Sequence, residues 1–360
     1  MAHEISNENF FDTTGKPAWH RLSVFEKMGI EKESRDYSAT EIYALFDRPQ
    51  YDLRPLYYHN HAQELTLIPD DQLIVVQPNE NEPDEKIIGR VSDHYELVAG
   101  QMAAELWDKH VAKPAETMMM LKDFGCLVIT AKLPDYDVKG EEIVNYLVYA
   151  NGMNGKTATR ADVSSTRVVC ANTLAIAQSA TVRHFAGSTN LLMSWMTDIL
   201  ARAEMQVGVM RDVFNILAET PATREQVATL ADVVYPVPKK PSKDKLYKHG
   251  YDLRFSDWER NCETSAKHRQ VVIENFEGAA IGFDDDACKT RGTAWHALNS
   301  VTQELTHSRT NNFDGRAESL LIGTRKYQIE QATNIVVNWS DYAKNALSKE
   351  RELVPALTSS

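Results

Sequence analysis

The chain has 360 residues, 43% of them hydrophobic and 25% charged, the composition of a protein that buries one large core or two smaller ones rather than of a disordered chain. A formal net charge of −12 excludes a protein that coats duplex DNA with its whole surface. No run approaches the roughly 18 apolar residues that span a bilayer, and MAHEISNENF lacks the basic start and apolar core of a secretory signal, so a cytoplasmic protein without a membrane partner is expected.

Residues 1–60 read as an N-terminal segment, with AWHRL at 18–22 and a short helix after Ser38 and Thr40. Between residues 64 and 98 the runs LTLI, QLIVVQ and KIIGRV, punctuated by Pro-Asp-Asp and an acidic Asn/Pro/Glu stretch, predict strands joined by turns. A helix is expected over 99–110, with Met102, Leu106 and the stem of Lys109 on one side. TMMMLK, GCLVITAKL and EEIVNYLVYA follow as three β-rich runs. Their connections, Asp-Phe-Gly and Pro-Asp-Tyr-Asp-Val-Lys-Gly, are too short for parallel crossovers and predict an antiparallel meander. The expected class is therefore α+β: a meander flanked by helices, followed by a mostly helical C-terminal region. The α+β core is expected over 61–190.

Beyond a polar loop come RVVCANTLAIAQ and RHFAGSTN, then a long amphipathic stretch that Ser188 or Thr189 can cap. Leu192, Met196, Ile199, Ala203, Val207, Met210, Phe214 and Leu217 recur there at steps of three and four, marking a face for the core or an oligomer seam. Thr220-Pro221 predicts the start of a second helix that Pro236 ends, closing a helical region over 191–236. PVPKKPSKDKLYKHG, with five lysines and three prolines, predicts an exposed linker over 237–250. In the C-terminal region, 251–360, TAWHALNSVTQELTHS predicts a helix capped by Thr293. Trp295, Leu298, Val301 (or Thr302) and Leu305 form its apolar side, and His296, Ser300, Gln303 and His307 a polar one.

The chemistry-bearing motifs are sparse. Residues 150–157, ANGMNGKT, match a relaxed Walker A pattern behind a strand, but the continuation TATRADVSST is poor for the helix whose amides would cradle phosphates. Asp284, Asp285 and Asp286 are adjacent carboxylates, His59 and His61 alternate on a possible strand, and His296 and His307 share a helix. None has the spacing of a metal site, so no metal and no cofactor are expected. Cysteines 126, 170, 262 and 288 stand singly, as reduced buried thiols do.

Charge is unevenly spread. Residues 63–100 hold nine acidic residues against Lys86 and Arg90, whereas 152–187 hold Lys156, Arg160, Arg167 and Arg183 against Asp162. Guanidinium forks and side-chain amides suit phosphate oxygens and base edges, so Lys156, Arg160, Arg167, Asn172, Arg183 and His184 are the candidate contacts to single-stranded DNA or RNA. Tyr146, Tyr149 and Phe185 lie close in sequence as stacking groups. The structural alternative pairs Arg167 with an internal carboxylate and lets Asn172 cap a turn.

Several of these stretches carry a resemblance. MAHEI, GKPAWHRL, VSDHYELVAGQMAAEL, EEIVNYLVYANGMNG, RVVCANTLAIA with RHFAGS, and GTAWHALNSVTQELTH resemble a phage- and plasmid-related family of unknown function over roughly residues 1–310. The resemblance implies a mobile-element context. By order of elements alone, the helix, meander and helix is similar to the core of phage single-strand annealing proteins of the RecT and Redβ type. The leading expectation is a homo-oligomeric protein that holds single-stranded nucleic acid during recombination or replication. The alternatives are a nucleotide- or metal-dependent nucleic-acid enzyme using Lys156 and the aspartate cluster, and an accessory protein that binds a host protein through its acidic surface.

Overall fold

In the computed structural model, described for residues 10–12, 36–44, 49–78, 84–122, 124–167, 172–174, 180–182, 188–241, 251–283, 288–308 and 319–353, the β-rich runs pair in sequence order. Strand β1 is Phe10–Asp12, β2 Tyr51–His59, β3 Leu65–Val76, β4 Lys86–Ser92, β5 Thr117–Leu121, β6 Cys126–Val138, β7 Glu141–Gly152, β8 Thr159–Arg167, β9 Asn172–Leu174 and β10 Ala180–Val182. The four long strands β5 to β8 make the antiparallel meander, extended by β1 on β5 and by β9 and β10 on β8; β2, β3 and β4 form a second, three-stranded antiparallel sheet. The class is α+β, as the runs and short connections predicted.

Three details differ from the sequence reading. LTLI and QLIVVQ are one strand: Asp70, in the left-handed region at φ 63°, makes a bulge where Pro-Asp-Asp suggested a turn. Likewise β6 runs on through Pro-Asp-Tyr-Asp-Val with an irregularity between Leu133 and Tyr136, and the reversal is left to Lys139 and Gly140, both at positive φ (54° and 97°), as strand twist favours in two-residue turns. Finally, the expected polar loop after β7 is strand β8. Its polar residues disguised it, because they meet partners on a buried face rather than water.

Helices α1 (Ala39–Ala44), α2 (Gly100–Leu106, continued by a π-helical turn at Trp107–Val111), α3 (Ser188–Glu219), α4 (Arg224–Val234), α5 (Tyr251–Glu274), α6 (Ala294–His307), α7 (Thr324–Val337) and α8 (Asp341–Leu353) complete the order. The side of α3 that spacing selected is buried: Met196, Ile199, Ala203, Val207, Met210, Phe214 and Leu217 join one cluster with Leu127, Ile129, Leu147 and Tyr149 of the sheet. Tyr149 sits between Trp107 and Trp195, at ring separations of 6.0 and 6.4 Å. That cluster continues through α4, α6, α7 and α8, so the regions divided at 190 and 250 share one core. The boundary at residue 60 falls in the turn joining β2 to β3.

The helix ends and faces show where tertiary packing overrode local signals. Helix α4 starts at Thr223, not Thr220: the Thr223 hydroxyl accepts from Gln226 N (3.3 Å) while Gln226 Oε1 accepts from Thr223 N (2.8 Å). Pro221 instead bridges to Thr293. Helix α2 leaves Met102 40% exposed and buries Ala103, Ala104 and Leu106, because its inward side faces α1. Helix α6 buries His296 and Ser300 of its polar side too and half-buries Gln303 and His307, with His296 stacked on Phe283 at 4.1 Å. Among the described residues no helix is long and apolar enough to cross a membrane.

Ile199→Asp places an unpaired carboxylate among these apolar neighbours, where the side chain is 4% exposed. The expected cost is about 3–5 kcal/mol, read as a large drop in the circular-dichroism melting temperature; an unchanged melt would show that this side of α3 is wet.

Candidate functional site

Alternation along β8 decides what the basic stretch can do. Thr159, Ala161, Val163 and Ser165 face the helices, so Arg160, Asp162, Ser164 and Thr166 face the other way, beside Ala150, Val148, Tyr146 and Val144 of β7. This second face carries its own apolar cluster, Met119, Leu121, Cys126, Val128, Val144, Tyr146, Val148 and Ala150, covered by Leu321 and Ile322 just before α7. Arg160 and Asp162 are therefore drawn into an apolar layer, and both are 7% exposed.

Their charges are met from α7. Lys326, 4% exposed, pairs with Asp162 and lies 3.3 Å from Glu330, which is 7% exposed. Arg160 Nε stands 3.5 Å from Asp162 Oδ2, while its other nitrogens donate to the Leu321 carbonyl (3.0 Å) and the Tyr327 hydroxyl (3.2 Å). Two cations and two carboxylates make the cluster formally neutral. Beside it, a cavity of about 10 Å³, the space of one water, is lined by Val148, Asp162, Ser164, Leu321 and Lys326. Burial pushes the Glu330 carboxyl above its ordinary range, and the nearby Lys326 ammonium only partly opposes that.

The Walker-like stretch is a hairpin turn. Asn154 Oδ1 accepts from the amides of Lys156 (3.0 Å) and Thr157 (2.9 Å), Gly155 takes φ 69°, and the chain re-enters the sheet as β8. No helix N-terminus follows, so amides for a phosphate are not assembled there. Lys156 is exposed on this turn. Lys122, from the β5–β6 turn, reaches the same place and donates to Thr157 Oγ1 at 3.1 Å. The small sheet butts against it: a Cβ on Gly89 would come 2.2 Å from the Asn154 carbonyl oxygen, and one on Gly155 2.2 Å from Val91. Tyr51 adds a hydrogen bond to the Phe124 carbonyl at 2.9 Å.

Of the six candidate contacts, the four whose backbone is described, Lys156, Arg160, Arg167 and Asn172, are spread along β8 and the turn before it. Lys156 is at one end of the meander. Strand β10 ends at Val182, opposite Thr159, at that same end, but Arg183 and His184 lie outside the described residues. Arg167 pairs in backbone register with Asn172 at the far end of β8, about 26 Å away at strand rise; both side chains are outside the described set. Arg160 lies between, with its guanidinium spent on internal partners. Arg160 has a structural role of the kind expected of Arg167, whose own side chain lies outside the described set.

Other candidates fare as follows. Asn151 of the Walker-like stretch is buried, donating to the Val98 carbonyl (2.8 Å) and accepting from Thr159 Oγ1 (2.8 Å). Tyr149 and Tyr146 are 0% and 5% exposed, so neither offers a ring face to a base, and Phe185 lies outside the described residues. Asp284, Asp285, Asp286, Cys170 and the AWHRL run also lie outside them. His59 ends β2 while His61 is in the turn, and among the described residues no group of three or more His, Cys, Asp or Glu is placed to hold a metal. Cys126 is buried and Cys262 and Cys288 are half-buried, all unbridged. Sequence reasoning missed Asp162, Lys326 and Glu330. The available signal was the i,i+4 pair Lys326/Glu330 on the helix side that also carries Ile329 and Thr333.

Residues 87–338 match the family DUF932, described as a domain of unknown function; the match runs from within β4 to just past α7. No curated protein matches this chain, and no solved structure does.

Two outcomes test the buried cluster. Asp162→Ala leaves two buried cations with Glu330 as the one carboxylate of the cluster and is expected to cost about 3–5 kcal/mol in denaturant unfolding, whereas a loss below 1 kcal/mol would mean that water reaches the cluster. The second concerns pH. Because the Glu330 carboxyl is raised in the folded state, the native protein holds a proton that the unfolded chain has released. Its contribution to stability therefore falls as pH rises from its ordinary value of 4.5 to the raised one, and is level above that. Glu330→Gln should flatten that part of the stability profile; an identical slope in the variant would place the titration elsewhere.

Proposed function

Because the chain belongs to DUF932, whose description assigns no activity, we propose its function from its own residues: it binds single-stranded nucleic acid at the turn end of the large sheet. The observation that carries this reading is the meeting of Lys156, exposed on a turn held by Asn154, with Lys122 across Thr157. Ammonium groups on a fixed turn attract phosphate as point charges. In a chain of net charge −12 the attraction is local, and it discriminates by shape. A duplex is stiff over about 150 base pairs, and the small sheet that adjoins this turn through Gly89 and Val91 exposes Asp84 and Asp93 to its phosphates. A single strand can bend past them. Arg160 has no part in this contact, since leaving Asp162 would unpair a buried charge. The mobile-element setting implied by the sequence resemblance makes recombination or replication the process served.

A second reading, an accessory protein that engages a basic protein partner, is favoured by the acid on the small sheet and its flanks: Asp52, Asp70, Asp71, Asp84, Glu85 and Asp93 against Arg54, Lys86 and Arg90. Titrating labelled single-stranded and duplex oligonucleotides at two salt concentrations, with and without ATP and magnesium, separates the readings. Salt-sensitive single-strand binding without ATP turnover is expected. Absence of binding favours the protein partner, and Lys156-dependent ATP hydrolysis would favour an enzyme. The double substitution Lys122→Ala with Lys156→Ala should lower the log–log salt slope by about 1 to 1.5. If that variant keeps its native circular dichroism and binds with wild-type affinity and slope, the turn end is not the site.

A further inference from the structure

The small sheet ends in a part that no other described element covers. Strand β4 pairs with β3 only over Asp71–Val76, so beyond the bulge at Asp70 two strands continue as a ribbon: Tyr57, Tyr58 and His59 opposite Leu67, Thr66 and Leu65. The ribbon is well formed. Asn60 Oδ1 accepts from Ala62 N (2.9 Å) and Glu64 N (3.0 Å), closing its turn. Yet it carries large apolar groups in water: Tyr57 is 52% exposed, Tyr58 49%, Leu65 68% and Leu67 49%. A two-stranded hairpin is marginal in water without a third layer, and clustered exposed apolar groups mark an interaction site.

We infer that this ribbon is where two copies of the chain associate, tip half against tip half, through Tyr57, Leu65 and Leu67 and the edge of β2 at 56–59, which pairs with no described strand. Charge selects the occupant. Residues 57–67 hold one carboxylate, Glu64, and no Lys or Arg, in a chain of net charge −12. A polyanion meets no cation there. A basic partner is drawn to the strand bases, where Arg54 already pairs with Glu85 and Arg90 with Asp71. An identical tip is the surface that matches a near-neutral apolar tip while leaving the acidic bases of both copies apart in water. The edge of β2 is blunted in the same pattern. Pro55, which has no N–H, and the charged Asp52 and Arg54 guard its inner half, while Leu56, Tyr57, Tyr58 and His59 carry no such guard. Antiparallel pairing about Tyr58 sets Tyr57 opposite His59 of the second copy and adds main-chain hydrogen bonds to the apolar contact.

The contact is small. Four half-exposed side chains fall short of the roughly 800 Å² per partner of a standard interface, so a weak dimer forming over about 1–100 µM is expected. Sedimentation velocity of the full chain across that range should show a monomer–dimer equilibrium. Tyr57→Ser with Leu67→Ser should raise Kd by about tenfold or more, whereas Tyr342→Ser, at a residue 80% exposed on α8, should leave it unchanged. A wild type that is monomeric throughout, a double variant that dimerises like wild type, or an association abolished by Tyr342→Ser overturns the inference. If the double variant loses its native circular dichroism, Leu65→Cys decides. A bis-maleimide should cross-link it between copies faster than Tyr342→Cys, and equal rates overturn the inference.

Discussion

The pairing of Asp162 with Lys326 is the contact on which the far side of the large sheet depends. It joins the centre of β8 to the first turn of α7, and through α7 it sets Leu321 and Ile322 against the apolar side chains of β5, β6 and β7. Neither ion would tolerate that layer alone, since taking a charge out of water costs several kcal/mol even after relaxation. Arg160 and Glu330 complete a set of four whose charges cancel. This explains how a strand reading TRADVSSTR can occupy an interior position in a sheet whose neighbour, β7, is buried along nearly its whole length.

The same pairing separates structural from available charge. On the sequence, Arg160 belongs with Lys156 as part of a basic stretch. In the fold, four residues apart on a turn and the strand it enters means opposite circumstances. Lys156 is on the reversal and in water, while Arg160 is locked among a carboxylate, a carbonyl and a phenol. Formal charge counts over a window therefore overstate what a ligand can meet. The cations that stay together at the end of the sheet come from two turns, Lys122 and Lys156, separated by 34 positions and brought together because β5–β6 and β7–β8 reverse at the same end of an antiparallel meander.

At that end the two sheets meet through backbone. Gly89 lies against the Asn154 carbonyl, and Gly155 against Val91, at approaches no side chain could share. At the junction the small sheet is joined, by its inner half, to the turn that carries Lys156. Its outer half, past Asp70, has lost the third strand and the core together. The proposed nucleic-acid contact at the junction and the proposed self-contact at the tip are compatible, because they fall at opposite ends of the small sheet.

Wherever one physical rule acted alone, the sequence was sufficient. The 3.6-residue recurrence from Met196 to Leu217 named the buried side of α3, Thr293 capped α6, and short connections implied the antiparallel meander. The accidental nature of the Walker-like match was legible as well, in β-branched residues where a helix was needed. Tertiary structure decided what depends on two remote stretches at once. Helix α6 reads as amphipathic but buries the first two residues of its polar side, His296 and Ser300, because Phe276 and Phe283 close over His296. Strand β8 reads as a loop because its polar residues advertise water, and only α7, some 160 residues later, supplies the opposite charges that let them leave it. A local pattern reports the average environment of a residue type; whether a particular arginine faces solvent or a buried carboxylate is set by a partner that the local pattern does not contain.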